Sequence, residues 1–264
     1  MRAHLLLAAA LLASTAASAP VTPAVVPGAR VVAKPTIVLV HGAFADSSSW
    51  NPVVVRLVRD GYRVIAIANP LRGVANDAAY VASVVRSISG PVVLVGHSYG
   101  GEVISVAAAD TPNVQSLVFV AGFAAEPGES AAALGQRFPT GTLGPTLAPP
   151  VPLSDGTSDL YIKQDRYARQ FAADVPAADA IAMASTQRPI AAMALAEPVR
   201  AAAWRNLPSW FIWGAADHNI PAALQSFMAK RARARGTQEI AGASHVVMLS
   251  HPIEVTRMIE RAAQ

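Results

Sequence analysis

No cysteine occurs among the 264 residues. That absence removes three chemistries together: disulfide cross-links, thiolate nucleophiles and cysteine-ligated metal sites. Charge is scarce as well. Only 14% of residues are Asp, Glu, Lys or Arg, while 53% are hydrophobic, so the chain is not of the disordered class and can bury a large core in one domain. The net charge of +4 is scattered except at Lys230, Arg231, Arg233 and Arg235. Those four close an expected helix, where cations complement the helix dipole, so no nucleic-acid partner is indicated. There is no HExxH or comparable ligand spacing and no GxxxxGK[ST] phosphate loop. His41, His97, His245 and Asp217 could converge, but without ligand spacing we expect neither a metal nor a cofactor.

The N-terminus carries the one targeting signal. "MRAHLLLAAALLASTAASAP" has a basic Arg2, an apolar run from Leu5 to Ala13 and small residues through Ala19, the layout of a secretory signal peptide over residues 1–19. The run is too short to span a bilayer, so no stable membrane anchor is expected. Cleavage is placed near residues 17–19, because Pro20 would follow a cut after Ala19 and its ring restricts the backbone a peptidase must grip. Residues 20–34, with Pro20, Pro23 and Pro27, read as an extended tether. Residues 35–264 read as one secreted or periplasmic domain.

From Thr36 onward, short apolar runs alternate with longer amphipathic ones. "TIVLV" (36–40), "RVIAIA" (63–68), "VVLVG" (92–96), "SLVFVA" (116–121), "SWFIW" (209–213) and "TQEIA" (237–241) have the length and β-branched content of strands. Near-continuous apolar strands are buried on both faces, which implies a mostly parallel sheet flanked by helices. Helices are expected over 50–60, 77–89, 101–110, 221–235 and 252–262, two of them opening on proline at the first turn. Residues 123–206 break the alternation. They hold no clear strand, include the Pro/Gly-rich stretch "FPTGTLGPTLAPPVPLSDG" (138–156) and then show helical segments around 161–173, 177–186 and 189–195. An insertion this long between two strands is expected to be a helical cap over a site. The expected fold class is therefore α/β, with that cap placed before the strand that bears the candidate acid.

In an open parallel sheet, ligands sit beyond the carboxyl ends of the strands. Four groups fall there: Ser98 in "GHSYG", His41-Gly42-Ala43-Phe44, Asp217 in "WGAADHNIP" and His245 in "AGASHVVMLSHP". Acyl transfer needs such groups together. A serine hydroxyl is a poor nucleophile until a histidine takes its proton, and a buried carboxylate must fix that histidine's tautomer. Two backbone amides must also meet the developing oxyanion. Gly96 and Gly100 allow the sharp strand-to-helix turn that exposes a nucleophile. The alternatives at these positions are a turn serine at Ser98, an Asx turn or helix cap at Asp217, and Glu126 as the acid in its place.

These motifs resemble those of α/β-hydrolases, over the chain from about Thr36 to its end. His41-Gly42-Ala43 with Trp50, and His245-Val246-Val247-Met248-Leu249-Ser250 with Pro252, are similar to signatures of the small esterase branch that contains plant methylesterases and hydroxynitrile lyases. The resemblance implies Ser98 as nucleophile, His245 as general base then acid, Asp217 as its orienting carboxylate, and the Ala43 and Tyr99 amides as the oxyanion hole. Among the other histidines, His41 is expected to brace the oxyanion turn, His97 to point away from the nucleophile, and His218 and His251 to stand outside the triad.

The chemistry expected is hydrolysis of a carboxylic ester. Halide displacement or epoxide opening on this fold uses an aspartate where Ser98 stands, and the lyases of the related branch place Thr and Lys where this chain has Gly42 and Val246. A cofactor-free perhydrolase, a lactonase and a triad-bearing sensor of small molecules are the alternatives. Phe44, Tyr99 and Phe123 are expected to line the pocket around a small to medium, uncharged ester. The cap residues Tyr161, Phe171, Ile181, Met183, Met193 and Leu195 either line an apolar pocket or pack helix on helix. Oligomeric state has no signal.

Overall fold

The computed structural model describes residues 34–264. The signal peptide and nearly all of the tether lie outside the described residues. Each of the six expected runs forms a strand. β1 (Thr36–Val40), β2 (Val64–Ile67), β3 (Val92–His97) and β4 (Val114–Val120) precede the insertion. Within the insertion, β5 (Val151–Pro152), β6 (Ser158–Leu160) and β7 (Ile190–Ala191) form a small antiparallel sheet. β8 (Ser209–Gly214) and β9 (Gly236–Ile240) complete the main sheet.

The main sheet has the order β2-β1-β3-β4-β8-β9, and every pairing in it is parallel. All residues of β1 and β3 are buried, as apolar runs covered by helices on both faces require. From β1 the chain goes outward to β2 and then returns to the other side as β3. Connections therefore leave β1 and β3 in opposite directions, and this opens a crevice at their carboxyl ends. That crevice receives His41 to Phe44 from one strand and Ser98 from the other.

The main helices are α1 (Asn51–Arg59), α2 (Val74–Arg86) and α3 (Gly100–Ala107). The insertion carries α4 (Ala131–Arg137), α5 (Leu143–Thr146), α6 (Gln164–Phe171) and α7 (Ala177–Thr186). α8 (Ala222–Arg231), α9 (Val247–Ser250) and α10 (Pro252–Ala262) follow. Two ends differ from expectation because distant groups set them. α2 starts at Val74 rather than Asp77, since the Glu197 carboxylate accepts from the amides of Val74 (2.7 Å) and Ala75 (3.1 Å), supplying negative charge at the helix N-terminus. α8 stops at Arg231 rather than Arg235, because Arg233 turns left-handed (φ 50) and the Arg235 amide donates to the Ser209 carbonyl at 2.8 Å, which starts β9.

The insertion contains strands that periodicity could not reveal. Two- and three-residue strands fall below the length at which alternation is readable, and Pro152 sits in an edge strand, where no ladder donor is needed. The segment 189–195, expected to be helical, begins as β7 and ends as a 3-10 turn over Ala192–Leu195. α4 was not expected at all; its alanines and Gly135 form no apolar stripe, but Ser130 caps it by accepting from the Ala133 amide at 3.2 Å, as an N-cap serine does. Arg72 pins the insertion to the main sheet, reaching Asp159 Oδ1 at 2.7 Å and the Pro189 carbonyl at 3.2 Å.

Candidate active site

Ser98 sits at the turn between β3 and α3 with φ 55. A non-glycine residue in this region is strained and persists only where its surroundings over-determine it. Here they do. The Ser98 amide donates to the carbonyls of Val120 (3.3 Å) and Ala121 (3.1 Å), and its carbonyl accepts from Gly101 (3.0 Å) and Phe123 (3.1 Å). Close approach explains two glycines of the turn. A Cβ at Gly96 would lie 2.5 Å from the Gly100 carbonyl oxygen, and one at Gly42 would lie 2.6 Å from Ser98 Cβ, both inside the range that contact permits.

His245 enters from the loop after β9, and Asp217 from the loop after β8. His245 Nδ1 and Asp217 Oδ2 are 2.7 Å apart, with both side chains fully buried. The carboxylate is saturated. Oδ1 accepts from the amides of Asn219 (2.8 Å) and Ile220 (3.0 Å), and Oδ2 also accepts from Gln225 Nε2 (2.9 Å). Asp217 therefore makes the Asx turn weighed against it and still holds the histidine, one oxygen serving each purpose. Glu126, the rival acid, is instead paired with Arg205. Gln225, one turn into α8, gave no sequence signal beyond a polar residue on an otherwise buried face.

The second ring nitrogen, His245 Nε2, is buried and makes no hydrogen bond among the described residues. It shares a cavity wall with Ser98. Such contacts are often loose without substrate and tighten in the reacting complex. Ala43 and Tyr99 line the same cavity, and their amides donate to no acceptor among the described residues. The Tyr99 hydroxyl is committed elsewhere, donating to Asp77 Oδ2 at 2.9 Å.

His41 braces the turn through both ring nitrogens. Nε2 accepts from the Asn69 amide at 3.0 Å, which leaves the proton on Nδ1 to meet the Gly42 carbonyl at 2.9 Å. Burial pushes this imidazole down to about 4. The unfolded chain takes up the proton near 6.5, so between those values it binds more protons than the folded chain, and stability falls as pH is lowered through that window. The full span is worth about 3 kcal/mol. Thermal melts should show Tm dropping between pH 6.5 and 4.5, with a shallower slope in His41→Gln; equal slopes would remove His41 as the cause.

His97 is absent from the lining of the cavity that holds Ser98. Its ring lies 4.7 Å, centroid to centroid, from that of His245, and its Nε2 is 3.2 Å from the His245 carbonyl oxygen. Burial, and secondarily the charge of His245, hold His97 well below the usual imidazole range, so it serves the site as a neutral prop. His218 uses its backbone carbonyl, which accepts from Thr142 and Gln170, and His251 packs 3.7 Å from Asp174.

The cavity above Ser98 encloses about 370 Å³ and is lined by Phe44 and Phe123, by Phe171 and Leu195 of the cap, and by the segment from Ala131 to Gly144. No Asp, Glu, Lys or Arg lines it. The six cap candidates divide. Phe171 and Leu195 reach this cavity, Met183 lines a second one of about 330 Å³, Tyr161 is half-buried and lines neither, and Ile181 and Met193 face solvent at 66% and 58% exposure. The α4–α5 wall, which adds Phe138 and Leu143 to alanines and glycines, lies in a stretch without readable periodicity. Among the described residues, no cluster of His, Asp or Glu is placed to hold a metal ion.

Residues 37–258 match the sequence pattern of the Alpha/beta hydrolase family. The chain is 27% identical over 255 residues to the alpha/beta hydrolase nvfD of Aspergillus novofumigatus, covering 87% of this chain and 97% of that protein. It is 26% identical over 254 residues to methylesterase 10 of Arabidopsis thaliana, covering 86% and 90% respectively. Its fold is similar to that of polyneuridine aldehyde esterase, with a TM-score of 0.76 at 19% identity over 88% of this chain and 100% of that one.

Proposed function

The chain belongs to the alpha/beta hydrolase family, and on that premise we propose that it is a serine esterase that cleaves small to medium, uncharged carboxylic esters through an acyl-enzyme. One observation carries the reading: a strained Ser98 and the free nitrogen of an Asp217-held His245 open into one uncharged cavity, beside two amides that have no other acceptor. His245 Nε2 takes the Ser98 proton as Oγ attacks the ester carbonyl. The imidazolium that forms faces the Asp217 carboxylate, and the tetrahedral oxyanion meets the Ala43 and Tyr99 amides, where charge develops only in the transition state. Collapse passes the proton from His245 to the departing alcohol. Water then repeats the sequence on the acylated serine, with His245 again as base.

The size and chemistry of the cavity set the substrate class. A volume near the low end for small-molecule pockets, with no charged side chain, favours short apolar acyl groups over long or ionised ones. A panel of p-nitrophenyl esters from acetate to palmitate tests this, with a lactone and a peracid assay beside it. Turnover should be repeated and greatest for the shorter esters. A rate rising toward palmitate, or a single slow acylation without turnover, would overturn the reading, the latter in favour of a sensor; dominant lactone or peracid activity would move the chemistry to those reactions.

A further inference from the structure

The turn that carries Ala43 is held from outside its own loop. Phe44 is left-handed (φ 60) and 2% exposed, a conformation that a bulky aromatic residue adopts only under constraint. Both of its backbone polar groups are spent on the cap. The Phe44 amide donates to the Arg188 carbonyl at 2.9 Å, and its carbonyl accepts from the Tyr167 hydroxyl at 2.6 Å. Tyr167, on α6, is completely buried, and its ring packs on Phe171 at 5.0 Å while Phe171 meets Phe44 edge-on at 6.3 Å. Burial pushes the phenol far above its ordinary range, so it stays protonated as a donor.

We propose that Tyr167 is a positioning residue for the oxyanion hole: its hydroxyl fixes the Phe44 carbonyl and so keeps the adjoining Ala43 amide aimed at the reacting oxygen. The inference rests on the esterase reading above. Arg188 anchors the peptide before the Phe44 Cα and Tyr167 the peptide after it. With the second anchor gone, Phe44 can leave its strained conformation and draw Ala43 with it. The cap thereby does more than cover the cavity, because the hole is assembled only while α6 is seated.

Tyr167→Phe removes one oxygen and keeps the packed ring. On a short p-nitrophenyl ester, kcat should fall about 10- to 100-fold, less than the roughly 100- to 1000-fold that follows outright deletion of an oxyanion donor. KM should stay within about twofold, because the ground-state ester does not use the hole. An aryl trifluoromethyl ketone, whose adduct with the serine places an oxyanion there, should inhibit more weakly by the same factor as the loss in kcat/KM. Titration of competent sites with a fluorophosphonate normalises both values, so partial misfolding is divided out. Asp159→Asn, which weakens the β6 ion pair to Arg72 and leaves the α6 contacts with Phe44 in place, should leave kcat unchanged. Unaltered kcat in Tyr167→Phe, a change confined to KM, or an equal loss in Asp159→Asn would each overturn the proposal. Ser98→Ala separates this failure from that of the esterase reading: if it is inert while Tyr167→Phe is normal, only the positioning role falls, whereas if it turns over ester both fall.

Discussion

Replacing Ser98 with alanine is expected to lower kcat for a p-nitrophenyl ester by about 10⁵- to 10⁶-fold, the scale seen when the nucleophile of a serine hydrolase is removed. With no cysteine in the chain, there is no thiolate to take over. The fold should survive, because the bonds that hold the turn come from the Ser98 backbone amide and carbonyl, which alanine retains. Tm should therefore match the wild-type protein while release of p-nitrophenolate falls to the background left by binding and the oxyanion amides. Stopped-flow or long-time spectrophotometry, with a melt on the same sample, checks both halves. Activity within tenfold of wild type in a folded variant would remove Ser98 from the chemistry.

Asp217→Asn is expected to cost about 10⁴-fold in kcat. Asp217 accepts four hydrogen bonds, two on each oxygen. Asparagine has a single acceptor oxygen. If that oxygen keeps the Asx turn at Asn219 and Ile220, the new amide nitrogen faces two donors, Gln225 Nε2 and His245 Nδ1–H. The histidine then relieves the clash by moving its proton to Nε2, which is the nitrogen that must be free to deprotonate Ser98. Part of the structural cost falls on the 217–220 loop, so Tm should also drop. Steady-state kinetics with a folded, cooperatively melting sample is the check, and near-normal kcat would transfer the orienting role to another carboxylate.

The sheet was legible because its strands are short, continuous and β-branched, a pattern that double-sided burial imposes. The candidate site was legible for a related reason: once the sheet is parallel, residues at the carboxyl ends of strands converge, which brought out His41 to Phe44, Ser98, Asp217 and His245, while their roles came from the family resemblance. What could not be read were features set by contacts distant in sequence. Glu197 caps α2 from the far side of the insertion, and the Ser209 carbonyl takes the amide that ends the run after α8. Tyr167 lies in "QDRYARQF", where nothing local separates it from any amphipathic tyrosine; its meaning comes from Phe44, 123 residues earlier in the chain. The contact of His97 with the His245 ring and carbonyl joins positions 148 residues apart, and no local pattern reveals it.

The central claim is that an acyl group passes through Ser98, and the most direct measurement is the mass of the enzyme caught during turnover. A slowly deacylating p-nitrophenyl ester, quenched in acid at steady state and followed by intact-mass and peptide spectra, should show one added acyl group located on Ser98, present in wild type and absent in Ser98→Ala. An acyl group found on any other residue, or rapid turnover with no trapped adduct while a fluorophosphonate fails to label Ser98, would contradict the account.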